Sequence, residues 1–359
     1  HFWPDGSALD LSANSAQSED NIAAWSSPAE ALRFRDFCDV ARKTYQTLEG
    51  PFIRSARPNM LSIMTRLGPQ GLMHLGSLGP MSSLWQQMEA HFKDERLRQL
   101  FGRYATYVGG APNLSPAVLA LIWQAEARGV WAVDGGMHRL ATALAALAER
   151  QGVTLEYGRT VRRIDRQSGR VTGVVLSDGR TLKCDAVVFN GDPAGLLAGL
   201  LGNGPQQALP PSAAHPRSLS AWVWAFAATP SGADLIHHNV FFGSDPAREF
   251  DPISRGQMPD EATLYICAQD RHHGTPTGPE RFEIIMNAPA QTGAKTSQPS
   301  GEIDQCRART FPQLARFGLS FDQPPPDSAL TTPAGFSALH PGSQGAIYGR
   351  SPHGTLASF

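Results

Sequence analysis

Asp185-Ala-Val-Val-Phe-Asn-Gly-Asp-Pro193 is the stretch on which the fold turns. A β-branched and aromatic run ends in Asn-Gly-Asp, and Pro193 stands where it opens a helix. A strand, a small turn and a helix in that order form the edge of a nucleotide-binding sheet. Upstream, short strands are expected at Thr154 to Tyr157, Val161 to Ile164, Arg170 to Leu176 and Arg180 to Lys183, the last two joined across Ser177-Asp-Gly179. Asp134-Gly-Gly-Met-His-Arg-Leu140 precedes them and leads into a helix through Arg150, with Met137, Leu140, Leu144 and Leu147 on one face and Gly152 closing it. Gly135 and Gly136 leave the amides of that helix start uncovered, which suits a flat or anionic ligand; a plain turn is the other reading.

Outward from this segment the chain divides. On the N-terminal side, His1 to Leu11 reads as strand, Pro-Asp-Gly turn and strand, and Ser27 caps a helix to about Leu48 with Pro28 in its first turn and Leu32, Phe34, Phe37, Val40 and Ala41 as its stripe. Leu67 to Met88 is uncharged and rich in Leu and Met, fitting either a buried helix pair or contact with a bilayer surface. A polar helix follows over Asp94 to Gly102, and an apolar one over Pro116 to Glu126 with Ser115 as cap. On the C-terminal side, Ser218 to Ala228, Thr263 to Ala268 and Phe282 to Met286 read as a second, antiparallel sheet.

The 359 residues suffice for one large or two ordinary domains. A net charge of -1 is not that of a nucleic-acid binder. Gly 35 and Pro 28, without a repeat, imply many turns. Cys38, Cys184, Cys267 and Cys306 lie too far apart in sequence for a metal knuckle or redox pair and read as reduced and cytosolic. No stretch reads as a membrane-spanning helix. The start at His1 without Met and the stop at Phe359 suggest a fragment truncated at both ends.

Chemistry is sparsely marked. No Gly-x-Gly-x-x-Gly, no Gly-x-Ser-x-Gly and no His-Glu-x-x-His occurs. His237-His238 and His272-His273 are read as surface histidines and not as a metal site, because neighbours on an extended segment point to opposite sides. Tyr104, Tyr107, Trp123, Trp131, Trp222 and Trp224 fit the wall of an apolar ligand site or a plain core.

Three segments carry a resemblance: Phe101-Gly-Arg-Tyr-Ala-Thr-Tyr-Val-Gly-Gly-Ala-Pro112, Gly129-Val-Trp-Ala-Val-Asp-Gly-Gly-Met-His-Arg-Leu140 and Asp185 to Pro193. His237-His-Asn-Val-Phe-Phe-Gly and Thr263 to Arg271 add to it. Together they resemble bacterial carotenoid desaturases of the phytoene desaturase family, on the branch that acts on 1-hydroxy or methoxy carotenoids such as hydroxyneurosporene.

That resemblance implies an α/β flavoprotein of the amine-oxidase-like class, in which an FAD-binding Rossmann-type domain is interleaved with an α+β substrate domain. Residues 1–26 would be a strand pair continuing the FAD domain, 27–133 a largely helical substrate- or membrane-facing part, 134–200 an FAD-domain segment, 201–335 the substrate-domain sheet and 336–359 a return toward the FAD domain. Val161, Asn190, Gly191 and Asp192 would lie toward the adenine half of FAD, with Gly135 and Gly136 on the flavin side. Tyr104, Tyr107, Trp123 and Trp131 would wall the tunnel of a linear carotenoid. The chemistry would be flavin-mediated 3,4-desaturation, with no catalytic side chain named, by an enzyme peripheral to the cytoplasmic membrane; the fragment alone would be inactive. Phytoene or another non-hydroxylated carotene is the alternative substrate. An amine oxidase and a non-catalytic carotenoid-binding subunit are more distant readings.

Overall fold

The computed structural model describes residues 1–56, 60–77, 82–292 and 301–354. Asn14 caps α1 (Ser15–Trp25), and Ser27 caps α2 (Pro28–Leu48) by accepting from the Glu30 amide, as expected. α2 turns Phe34, Phe37 and Ala41 inward. Leu32 of the expected stripe is 54% exposed, because two residues of a 3.6-residue turn carry it to the far side from Phe34. α3 (Met60–Ser77) bends at Gly68, whose φ is +65°, just ahead of Pro69. A reciprocal capping box of Ser83 and Gln86 opens α4 (Leu84–His91), and Asp94 caps α5 (Glu95–Gly102). α5 is less polar than expected, since Leu97, Leu100 and Phe101 are buried on one face. α6 (Leu121–Ala127) starts after a 3-10 turn at Ala117–Ala120, and Ser115 does not cap it. The Ser115 carbonyl accepts instead from the Leu84 amide at 2.8 Å, tying this segment to α4.

These helices close on an aromatic core. Phe34, Phe37, Phe92, Phe101 and Trp123 meet with ring centroids 4.8 to 5.7 Å apart, and all are at most 4% exposed. Each fully buried ring of this kind contributes roughly 1.5–3 kcal/mol.

α7 (Met137–Arg150) follows as expected, and Gly152 ends it at φ +84°. β1 (Val161–Gln167), β2 (Arg170–Leu176) and β3 (Thr181–Lys183) form a three-stranded antiparallel sheet in that order. Its first turn has Ser168 and Gly169 both at positive φ, +51° and +80°, the geometry that matches strand twist in a two-residue hairpin. The neighbouring expectations fail. Thr154 to Tyr157 and Ala186 to Asn190 join no ladder among the described residues, and α7 buries none of its residues. An isolated strand has no partner for its amides and carbonyls, and the apolar side chains that would seat these segments face solvent: Leu144 is 57% and Val188 94% exposed.

Asp192 caps α8 (Pro193–Leu197). Then β4 (Ser220–Ala228), β5 (Pro230–Ser231), β6 (His238–Phe241), α9 (Pro246–Ser254), β7 (Leu264–Ala268), β8 (Glu280–Ala288), α10 (Glu302–Arg316), β9 (Ser320–Phe321), β10 (Leu330–Thr331) and α11 (Pro333–Leu339) follow. The expected antiparallel sheet is present, with two strands more than the sequence suggests, in the order β10-β4-β8-β7-β6. One face, with Trp224, Leu264, Ile266, Phe282 and Ile284, packs on Cys306 and Leu314 of α10. On the other face Tyr265 and Val240 meet the helical core.

The first residues form the expected strand, Pro-Asp-Gly turn and strand: Phe2 bridges Ala8 antiparallel, the Trp3 amide donates to the Ser7 carbonyl at 3.0 Å and the Leu9 amide to the His1 carbonyl at 2.9 Å. Phe2 donates to the Val240 carbonyl at 2.8 Å and accepts from the Phe242 amide at 2.9 Å, and its ring stacks on Phe241. They extend the five-stranded sheet, and Ser15–Trp25 is a helix. The strand pair therefore adds its first strand to the β6 edge, where the two stacked aromatic rings seat it.

Candidate functional site

A polar, aromatic cluster lies where the 3-10 turn Arg103–Val108 approaches β7. The Arg103 guanidinium carbon is 5.7 Å from the Tyr107 ring centre and 5.5 Å from that of Tyr265. Arg103 Nε is buried without a hydrogen-bond partner. Burial pushes the Tyr107 hydroxyl up to about 12 against the opposing pull of Arg103, and burial raises Tyr265 and Tyr348 in the same way. All three phenols are therefore neutral near pH 7, able both to donate and to accept.

Glu249 on α9 is 2% exposed. It accepts from Asn287 Nδ2 of β8 at 2.8 Å, and burial raises its carboxyl above the usual range, more than its hydrogen bonds and Arg103 lower it. Ring faces, one guanidinium and a buried carboxyl are thus gathered between the helical layer and the sheet. Such a cluster can pack its ring faces on an apolar group and hydrogen-bond to an oxygen.

Of the aromatic residues singled out in the sequence, Tyr104 and Tyr107 come together, 5.1 Å apart edge to face. Tyr104 is 4% exposed and donates to Glu126 at 2.5 Å. Trp123 is a core residue packed edge-on to Phe34 and Phe101, and its indole N–H donates to Cys38 Sγ at 3.0 Å. Trp131 stands apart at 80% exposed, folded over Gly129. Arg103, Glu249, Tyr265 and Tyr348 carried no individual signal, although Arg103 lies inside the Phe101 to Pro112 motif and Tyr265 inside Thr263 to Arg271.

The residues expected at the cofactor are dispersed in character. Gly135 and Gly136 have φ +78° and +88°, and Gly136 sits at the start of α7 with no side-chain cap. Val161 is half-buried in β1; Asn190 and Gly191 are exposed. Asp192 is engaged elsewhere: it caps α8 through the Ala194 amide and forms a buried ion pair with Arg217. Arg217 also donates to the carbonyls of Ala214 and Ser343.

Against known proteins, residues 40–229 match the family described as flavin containing amine oxidoreductase. The chain is 56% identical, over its whole length, to the hydroxyneurosporene desaturase of Cereibacter sphaeroides and spans 72% of that protein. It is 50% identical to the hydroxyneurosporene desaturase of Rhodobacter capsulatus, again over its whole length and 72% of the relative. With the one from Rubrivivax gelatinosus it shares 46% identity over 98% of this chain and 67% of that protein. The chain belongs to the flavin-dependent amine oxidoreductase family, within its group of carotenoid desaturases of the phytoene desaturase type.

The family's cofactor is FAD, and one feature of this structure fits it. At Gly136 a Cβ would meet nothing within 4 Å, so the uncapped start of α7 is open to a ligand, with amides and the positive helix end available to it.

Proposed function

We propose that this protein desaturates an acyclic 1-hydroxy or methoxy carotenoid at the 3,4 position in carotenoid biosynthesis, with FAD as cofactor. The observation that carries the reading is 56% identity over the whole chain to a hydroxyneurosporene desaturase. Desaturation removes a hydride and a proton from adjacent carbons, and bound FAD supplies the hydride acceptor. The chain's own residues orient the polyene and exclude water. Tyr107, Tyr265 and Tyr348 offer π faces, which favour the partial positive charge that develops beside a conjugated chain. Arg103 lies at the oxygen-bearing end, where its unpaired Nε–H donates to the hydroxyl or ether oxygen; a substrate lacking that oxygen leaves a buried donor unmatched. Gly135 and Gly136 let the start of α7 approach the flavin, with Val161 and Asn190-Gly191 toward the adenine half.

The protein acts at a membrane surface, where such a substrate dissolves. What supports this is α3, on which Leu61 and Met73 are 74% exposed and Met64 is 50% exposed. No helix among the described residues is long and apolar enough to cross a membrane.

Expression of the complete gene in cells accumulating 1-hydroxyneurosporene, beside cells accumulating phytoene, tests the reading by pigment absorption and mass. Loss of two hydrogens with a red shift in the first strain supports it; conversion of phytoene alone moves the assignment to the non-hydroxylated substrates. Arg103→Met in the same strains should cut conversion of the hydroxylated carotenoid about 10-fold or more, and equal loss on both substrates would reject its place at the oxygen. Gly136→Val should lower flavin retention by the purified enzyme; unchanged retention removes that residue from the cofactor site.

A further inference from the structure

β6 ends the five-stranded ladder, with the bridge at Phe2 beyond it, and its register places His238 directly opposite Cys267 of β7. Directly opposed residues of an antiparallel pair project from the same face. His237 lies one residue before the strand, so the alternation that would send adjacent side chains apart does not govern it. Its carbonyl accepts from the Ala268 amide at 2.9 Å, and its ring folds back so that Nε2 is 3.7 Å from Cys267 Sγ. The two imidazoles stand edge to face with centroids 4.4 Å apart. This corrects the expectation from sequence that the two rings diverge.

We infer that His237, His238 and Cys267 form a binding site for one zinc-class divalent transition ion. One donor atom from each lies within 4.8 Å of the others. With a metal–sulfur bond of about 2.3 Å and a metal–nitrogen bond of about 2.05 Å, a tetrahedral ion sets its sulfur and nitrogen ligands roughly 3.6 Å apart. The 3.7 Å between Cys267 Sγ and His237 Nε2 already has that spacing. Two imidazoles and a thiolate form a borderline-soft set that suits zinc and disfavours magnesium or calcium.

The surroundings support the site. Tyr265 Oη is hydrogen-bonded to His238 Nδ1 at 2.7 Å, which orients that ring as an outer-shell partner does. Glu283 stands opposite Cys267 on β8. Its carboxylate, with the Cys267 thiolate, balances the two positive charges of the ion. Three protein ligands leave a fourth position for water. Binding transfers the Cys267 thiol proton to solvent and forms the metal–sulfur bond, with no change of oxidation state. Because Tyr265 also flanks Arg103, the ion fixes one wall of the candidate substrate site from the sheet edge.

The test is titration of the purified, chelator-treated protein with Co(II) alone, followed by displacement with Zn(II). One equivalent of Co(II) should produce an intense near-ultraviolet thiolate-to-metal absorption, which Zn(II) abolishes. Cys267→Ser should remove that absorption and His238→Gln should weaken Zn(II) binding at least 10-fold, while Cys184→Ser leaves both unchanged. If Cys267→Ser does not fold, Ser variants of Cys38, Cys184 and Cys306 assign the band by elimination. Absence of the band at stoichiometric Co(II), its survival in Cys267→Ser, or zinc affinity no better than millimolar overturns the site.

Discussion

Asp192 shows how a residue can be marked in sequence while its partners stay hidden. Its place after Asn190-Gly191 suggested a cofactor contact, yet its carboxylate is occupied by the Ala194 amide and by Arg217, whose side chain is 1% exposed. Sequence spacing supplies the N-cap, but nothing in it reveals a partner 25 residues away. Removing one member of a buried pair strands the other charge in a low-dielectric setting. Asp192→Ala should therefore destabilise the fold by about 3–5 kcal/mol, read as a lower urea midpoint at unchanged slope. A loss below about 1 kcal/mol would return the carboxylate to the cofactor. Arg103 is the reverse case: its neighbours Tyr265 and Tyr348 come from strands and loops more than 150 residues downstream, and only the fold assembles them.

At the scale of elements, pattern and punctuation carried furthest where an element is long and satisfied by its own neighbourhood. α2 has its cap, its Pro28 and its apolar stripe in one window, and β4 and β8 pair over nine residues from Ser220↔Ala288 to Ala228↔Glu280. β6 and β10, four and two residues long, give too little alternation to be seen. The Leu67 to Met88 region left two readings open, and its Leu78 to Met81 portion falls outside the described residues. Within it α3 exposes Leu72 and Met73, and just before it Leu61 and Met64. Replacing Leu61 and Met73 with Glu removes roughly 1.5–3 kcal/mol of transfer free energy per side chain if both enter lipid. Flotation with liposomes of neutral phospholipid should then fall at least 10-fold without loss of secondary structure. Unaltered flotation would mean that α3 does not meet the bilayer.

For the whole molecule, stability is concentrated in two places. The aromatic core under α2, α4, α5 and α6 and the core between the five-stranded sheet and α10 meet through Val240, Phe241 and Phe242 and through Tyr265. The segment from α7 to β3 is different. α7 buries none of its residues, β3 is exposed throughout, and the tie to the rest includes the Ile164 amide donating to the Leu201 carbonyl at 3.0 Å. Local opening costs little where few apolar contacts are lost. In hydrogen exchange of this 359-residue chain, the amides of α7 should exchange at least 100-fold faster than those of β4 and β8, and trypsin should cut first at Arg150, Arg159 or Lys183. Added FAD that slows α7 exchange while leaving β8 unchanged would locate cofactor contact at the Gly136 helix start, because a ligand lowers the opening population only of the elements it holds. Equal protection of α7 and β8 without cofactor would show that the apolar face of Met137, Leu140, Leu144 and Leu147 is covered in solution by another copy of the chain. Concentration dependence of the exchange would then confirm it, since protection by association grows with protein concentration and protection within one chain does not.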